Sequence, residues 1–406
     1  MTSATIASTS AATAVPLQQD AGIIALVGLA HASSHFSHLL LPLMFPVFLK
    51  EFGLSFSELG LLMTVFFTVS GSGQALAGFV VDRIGARPLL FASISLLLLA
   101  CLAASCASGY LGLVGVAALL GLGNAAFHPV DFTILNQRIS APRLGYAFSA
   151  HGLTGNLGWA AAPVFLVGIS SLTSWRWAYA AAALLYALIA LLLLLQRDKL
   201  LTKVVLRHPQ ATAGQDMAFM KLPVVWWCFS FFLLSTMTLA VVQSFSISIL
   251  KALHGVSLET ATLTLTAYML CGAVGVLVGG FVAAHTRHSE RVVALCMSLG
   301  ALFLALSATG VFGVTGTMVV LAATGLAIGI GGPSRDMMIK KATPRGATGR
   351  VYGLVYSGLD VGFALAPLLF GAFMDRGWYA AVLLGAAAAL ALSVFAALGV
   401  GRRTSH

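Results

Sequence analysis

Three histidines in the segment HASSHFSHLLLP, His31, His35 and His38, stand four and three residues apart. That spacing puts all three on one face of a helix. Imidazole titrates near neutral pH, with a reference value of about 6.5, so the stripe can contact a substrate or take up a proton. It can equally make structural hydrogen bonds. Ligation of a transition metal is a third use of imidazole, but no cysteine or carboxylate cluster accompanies the stripe in this segment, and neither a metal nor a cofactor is expected. Further along, GLGNAAFHPVDF carries His128 and Asp131 around Pro129, and GIGGPSRDMM carries Arg335 and Asp336. An ionisable side chain in such apolar surroundings is costly and needs a partner or a water-lined cavity. Two more segments are mixed in the same way: GYAFSAHGLTGNLGWAAAP has His151 and Asn156, and GRVYGLVYSGLDVGFALAP has Tyr352, Tyr356 and Asp360. Gln243 and Ser244 interrupt the apolar run TLAVVQSFSISIL and are candidates to line a path.

These segments are related to one another. A shift of 204 residues lays Gly121, Pro129, Gly145, Gly158 and Pro163 on Gly325, Pro333, Gly349, Gly362 and Pro367. It also lays Asp131 on Arg335 and Asn156 on Asp360, so the repeat has been charged differently in its two copies. Two similar halves around a central path are the arrangement of transporters built from membrane bundles. Asp131 and Arg335 can then pair across the cleft in one state and separate in another, or each can hold a gate near a helix end without meeting a ligand. Asp360 can receive a proton, counter a cationic substrate or bond a neighbouring helix.

Composition sets the environment that must hold these residues. Hydrophobic residues make up 59% of the chain and charged ones 8%, with a mean hydropathy of +0.98, against about 25% charge in a soluble domain. The chain is expected in a bilayer, which excludes a soluble enzyme or a nucleic-acid binder. No ATP-binding loop, nucleophile elbow or paired-carboxylate site is present, so no enzymatic activity is expected. The five cysteines lie in or beside apolar stretches without ligand spacing and read as small fillers.

Apolar runs of about 20 residues predict helices near residues 22–49, 57–81, 88–109, 112–138, 143–167 and 175–196, then 222–250, 257–284, 291–310, 313–341, 348–372 and 377–400. The fold class is therefore all-α and polytopic, with 12 membrane helices in two pseudo-symmetric six-helix bundles. The expected domains are a flexible tail (1–21), an N-terminal bundle (22–196), a connector (197–221), a C-terminal bundle (222–400) and a short tail (401–406). The connector holds Arg197, Lys199, Lys203, Arg207 and Lys221 against Asp198 and Asp216. Arg83, Arg87, Arg138, Arg143, Arg287, Arg291, Lys340, Lys341, Arg345, Arg350, Arg402 and Arg403 fall on the same side, which the positive-inside rule makes cytoplasmic, together with both termini. That distribution accounts for most of the net charge of +10 without a polyanionic partner. Trp226 and Trp227, with Trp175, Trp177 and Trp378, fit an interfacial aromatic belt.

Between the second and third predicted helices stands GFVVDRIGARP. Gly78 and Gly85 allow close approach and a tight reversal, while Asp82, Arg83 and Arg87 can bridge neighbouring helix ends. This loop resembles the signature of the major facilitator superfamily, and with the two halves it carries that resemblance over almost the whole chain. The second-half counterpart, GGFVAAHTRHSER, has His285 where the first has an acid and is a degraded match. The resemblance implies that the loop latches the cytoplasmic side while two bundles rock. GLGNAAFHP with an acid two places later, together with HFSHLLLPLMFP and EFGLSFSELGLL, resembles the fosmidomycin-resistance branch of bacterial major facilitators. In that branch Phe-His-Pro is typically followed by Glu, so Asp131 is a shortened acid, and His151 stands where Gln is frequent.

The branch resemblance implies a secondary transporter of the bacterial inner membrane, working by alternating access as a proton-coupled antiporter that exports a small polar or amphiphilic drug or metabolite. Its expected partners are that small molecule, protons and the lipid bilayer, with the monomer as the working unit. If Arg335 faces an open cavity as an unpaired cation, proton-coupled import of a small organic anion becomes the alternative. A non-transporting receptor or scaffold on the same fold is the alternative of a different class. The residues expected to serve substrate or proton coupling are His35, His38, His128, Asp131, His151, Asn156, Gln243, Arg335, Asp336, Tyr356 and Asp360. Gly78, Asp82, Arg83, Gly85 and Arg87 are expected to form the cytoplasmic gate.

Overall fold

The apolar runs become helices because a backbone in hydrocarbon must satisfy its own N–H and C=O groups. A computed structural model describes residues 16–204, 218–342 and 348–404. Residues 1–15 of the expected tail, Arg207 and Asp216 of the connector, Arg345 and residues 405–406 lie outside the described residues, as do the side chains of Arg350 and Tyr352. Twelve spans are long and apolar enough to cross a membrane. The first six are Leu17–Glu51, Phe56–Ile84, Ala86–Ser105, Tyr110–Arg138, Ala141–Leu172 and Trp175–Leu195. The second six are Pro223–His254, Leu258–His285, Ser289–Thr309, Gly313–Ala342, Leu354–Asp375 and Tyr379–Thr404. Spans one to six pack mainly among themselves and seven to twelve do likewise, giving two bundles. The second span crosses to the eleventh and the fifth to the eighth.

Large apolar side chains on the outer faces, such as Leu111, Leu172 and Phe281, are exposed, as expected where lipid replaces water. Trp177, Trp226 and Trp378 are exposed as a belt requires, but Trp175 is buried against Phe48, Phe52 and Tyr179 with the Arg176 guanidinium 4.1 Å above its ring. It anchors the sixth span to the first rather than to the interface.

Two spans are broken, and proline chemistry accounts for both breaks. In the first span the helix ends at His38, Pro42 opens a short 3-10 turn, and helix resumes at Phe45. In the fourth, the helix ending at Asn124 restarts at Phe127, with Pro129 four residues after Ala125. Proline lacks an N–H and its ring crowds the carbonyl four residues back. Pro333, the repeat partner of Pro129, is instead carried inside a continuous helix, Gly313–Ala342. The two halves therefore share prolines but not the break.

The first helix starts at Leu17, inside the segment read as a tail. The reason is Asp20, which is fully buried and accepts hydrogen bonds from Ser140 Oγ and from Arg143 Nη1, the latter at 2.8 Å. This acid ties the start of the first span to the loop between the fourth and fifth.

The second and eleventh spans run antiparallel and make a zipper between the bundles. Phe56 N–H and Ser57 N–H donate to the Asp375 carboxylate at 2.6 and 3.0 Å, and Ser57 Oγ donates at 2.5 Å. Next come Gly60 against the Pro367 carbonyl, where a Cβ would sit 2.2 Å from the oxygen, and Thr64 Oγ1 donating to Ala364 O at 2.6 Å. Phe67 then stacks on Phe363 at 4.3 Å, and Gly71 meets Asp360. Among the described residues, the hydrogen bonds joining the bundles all lie on this zipper, at the end opposite the basic loops.

Candidate functional site

Both broken helices deliver their ionisable residues to one place. His31 and His35 on the first span meet His128 and Asp131 just after the break in the fourth, and His151 on the fifth closes the group. His151 Nε2 lies 3.1 Å from Asp131 Oδ2, within hydrogen-bonding geometry. His31 Nδ1 lies 3.2 Å from the same oxygen, but its direction is not that of a hydrogen bond, so that contact is electrostatic. The His31 and His151 rings stack at 3.5 Å, and His31 lies 4.4 Å from His35 and 5.4 Å from His128 between ring centres. His128 Nδ1 pairs with Gln74 Oε1 at 2.8 Å, and His35 packs on the Trp159 ring at 4.2 Å.

Asp131 is completely buried, and its second oxygen, Oδ1, has no hydrogen-bond partner, nor has His35 Nδ1. Leaving a buried polar group unpaired costs about 1–3 kcal/mol, so the cluster carries unused binding capacity at its centre. Gly155 makes the crowding possible. A Cβ there would stand 2.8 Å from His35 Nδ1 and 3.0 Å from His31 Nε2.

His38 belongs to a neighbouring network instead. Its Nε2 faces Asn124 Oδ1 at 3.2 Å, and Trp159 Nε1 donates to its Nδ1 at 3.3 Å. The indole can only donate, so His38 is the neutral tautomer with its proton on Nε2. Ser34 Oγ also donates to Asn124 Oδ1, while Asn124 Nδ2 donates to Ser70 Oγ. Both His38 nitrogens are thereby occupied. Its ring lies 6.0 Å from Phe363, which links this network to the zipper.

The second candidate group is in the C-terminal bundle. Arg335 Nε donates to Asp336 Oδ1 at 2.9 Å, and its guanidinium lies 5.0 Å over the Phe232 ring. Tyr356 packs on the other contact of that ring at 4.9 Å. Asp131 and Arg335 are thus not paired in this conformation, because each has a nearer partner on its own bundle. Nor is Arg335 the unpaired cation that anion import called for.

Asp360 sits at the inner end of the zipper, where a Cβ on Gly71 would be 2.9 Å from its own Cβ. It has no hydrogen-bond or ion-pair partner among the described residues. Gln243 is buried in the seventh span, with Nε2 unpaired among the described residues. Asn156 donates to Gly152 O of its own helix and makes no contact with the histidines.

At the signature loop, Gly85 has φ of +85°, a left-handed conformation that suits glycine. Ala86 N–H donates to Thr202 Oγ1 of the connector, and Arg87 lies 3.8 Å from Asp198. Asp82 and Arg83 are exposed and unbonded among the described residues, and Gly78 has open space beside it. The loop therefore grips the connector in this conformation and does not bridge the two bundles.

Sequence reasoning missed Asp375, Asp20, Gln74, Asn124 and Trp159. Asp375 ends its helix next to Arg376 and Gly377, and an acid there gains no help from its own helix dipole. That mismatch was the available signal that it caps another helix.

The sequence model of the Major Facilitator Superfamily matches residues 27–250 and 227–406. The fosmidomycin resistance protein of Escherichia coli (strain K12) is 24% identical over 263 residues, 64% of each chain. The uncharacterized MFS-type transporter YfnC of Bacillus subtilis (strain 168) is 27% identical over 145 residues, 35% of this chain and 34% of that one. The matches thus span about a third to just under two thirds of these curated relatives. Among solved structures, a mutant of the nucleoside transporter NupG superimposes with a TM-score of 0.77 at 15% identity, covering 93% of this chain and 99% of that one. A bacterial homolog of the human lysosomal transporter Spinster, inward-facing and unoccupied, gives 0.72 at 14% identity, covering 96% and 97%. At such identities these likenesses concern the fold alone.

Proposed function

The chain belongs to the major facilitator superfamily, and we propose that it is a secondary transporter working by alternating access, a proton-coupled antiporter exporting a small polar or amphiphilic molecule. The observation that carries this reading is the position of Asp360. The carboxyl stands alone at the inner end of the contacts that hold the bundles together, where separating the bundles begins. A carboxylate without a partner inside the membrane is costly, and taking up a proton removes the charge. Protonation at that point favours the zipped arrangement, and release favours its opening. Solute binding on the histidine and Asp131 side of the path, linked to the zipper through His38 and Phe363, then gives the mutual exclusion that antiport needs.

The likeness to the fosmidomycin resistance protein supports membership of that branch. The basic loops support a bacterial inner membrane location with both termini cytoplasmic, and the hydrogen bonds that join the bundles among the described residues, all toward the opposite end, support an inward-open conformation. With two complete bundles around one path, the monomer is the working unit. The test is reconstitution into proteoliposomes with an imposed pH gradient and a panel of polar solutes, while internal pH is recorded. Saturable solute movement with opposite proton movement is expected. Solute movement indifferent to the gradient would overturn proton coupling.

A further inference from the structure

We propose that His31, Asp131 and His151 form a binding site for a borderline divalent transition cation such as Zn2+ or Co2+, with His35 and His128 as a second donor set sharing His31. The donor atoms of His31, Asp131 and His151 lie within 4.8 Å of one another, and so do those of His31, His35 and His128. Within the first set, the separations of 3.1 and 3.2 Å from Asp131 Oδ2 to the two imidazole nitrogens are close to the spacing between ligands of a tetrahedral ion with bonds of about 2.0–2.1 Å. Imidazole with one carboxylate is a donor set that suits Zn2+, Co2+ and Ni2+, and it is poorly suited to Mg2+ or Ca2+, which take oxygen ligands.

Three independent observations converge on a ligand here. Asp131 Oδ1 and His35 Nδ1 are buried with no hydrogen-bond partner, so two donors stand ready. The missing side chain at Gly155 keeps room between His35 and His31 that any Cβ would fill. Outer contacts also orient the ligands, since Gln74 holds His128 by Nδ1, the kind of second contact that metal-binding histidines make. The carboxylate that HASSHFSH lacks in sequence is supplied by the fourth span, whose break after Asn124 turns Asp131 toward the stripe. Three protein ligands leave a coordination position open, as a site on a transport path requires. His31 belongs to both donor sets, so the two sets compete for its ring and one ion per chain is accommodated.

This site is independent of the direction or coupling of transport and is tested by binding without any gradient. The purified full-length protein, with the exposed His285 and His288 replaced by Gln to remove surface sites, would be titrated with CoCl2 and ZnCl2 under calorimetry and visible spectroscopy. Expected are one ion per chain and, with Co2+, the intense visible absorption of a four-coordinate ion, read on a protein whose cluster is intact. His31→Gln and Asp131→Asn should each weaken binding by at least roughly tenfold, with monodispersity and thermal melting checked for each variant. Gly155→Ala, which keeps every donor group but pushes His35 and His31 from their present positions, should weaken it as well. No saturable binding, a faint six-coordinate Co2+ spectrum, or affinity unchanged in folded His31→Gln and Asp131→Asn would overturn the site. Failure of proton coupling in proteoliposomes with this binding intact would instead overturn the antiport reading alone.

Discussion

The two bundles are copies at the level of helices and opposites at the level of charge. In the N-terminal bundle an acid is held among imidazoles contributed by three spans, deep in the packing. In the C-terminal bundle the matching position is Arg335, which takes its partner from the next residue and rests on Phe232. His128 and His151 correspond to Gly332 and Val355, so the second copy has no imidazoles to gather. The break that brings Asp131 to the stripe is also confined to the first copy. On one repeated scaffold, differences at a few positions give one half a histidine cluster around an acid and the other an isolated acid, Asp360, at the seam.

This division can be broken most sharply on the N-terminal side. Replacing Asp131 by Asn leaves the imidazoles without their carboxylate, and breaking a buried pair costs about 3–5 kcal/mol. Solute flux per folded transporter should therefore fall by roughly 100-fold or more. Arg335→Gln removes a partly exposed pair worth about 0–1 kcal/mol, and its flux should fall by no more than about fivefold. Equal losses in the two variants would mean that both halves bind solute. A double-variant cycle would show whether the two residues meet in another conformation.

A smaller effect is expected at the far end of the zipper. Asp375→Asn keeps the shape but removes the negative charge that caps the second span in trans, worth about 0.5–2 kcal/mol. The closed arrangement should lose a few-fold to about thirtyfold of its population, measurable as a longer spin-label distance across that end. No change in distance distribution would assign the closure to Phe67, Phe363 and the glycine contacts alone. Thr64→Val removes one hydrogen bond to Ala364 O, about 1 kcal/mol, and should shift the same distribution in the same direction by about fivefold or less.

Much of this arrangement was legible in the residues. Hydropathy located all twelve spans to within several residues, because a backbone in lipid has no alternative to helix. The 204-residue repeat found the halves, and the spacing of His31, His35 and His38 put their rings side by side on one helix face. What was not legible was tertiary. Nothing local in HASSHFSH says that Asp131 faces it, since the contact depends on a helix break whose proline is shared by an unbroken copy. Opposite signs at Asp131 and Arg335 suggested a pair, but sequence alignment cannot see that Asp336 and His151 are nearer. Asp20 looked like part of a tail because its partners, Ser140 and Arg143, lie over a hundred residues away.

In the proposed mechanism solute binding belongs to the histidine cluster and proton coupling to Asp360. It is tested most directly by recording proton and solute movement together in proteoliposomes containing the unaltered protein, His151→Gln or Asp360→Asn. Expected are opposite proton and solute fluxes for the unaltered protein, neither for His151→Gln, and solute exchange without proton movement for Asp360→Asn. Proton-coupled flux that survives intact in folded Asp360→Asn would contradict it.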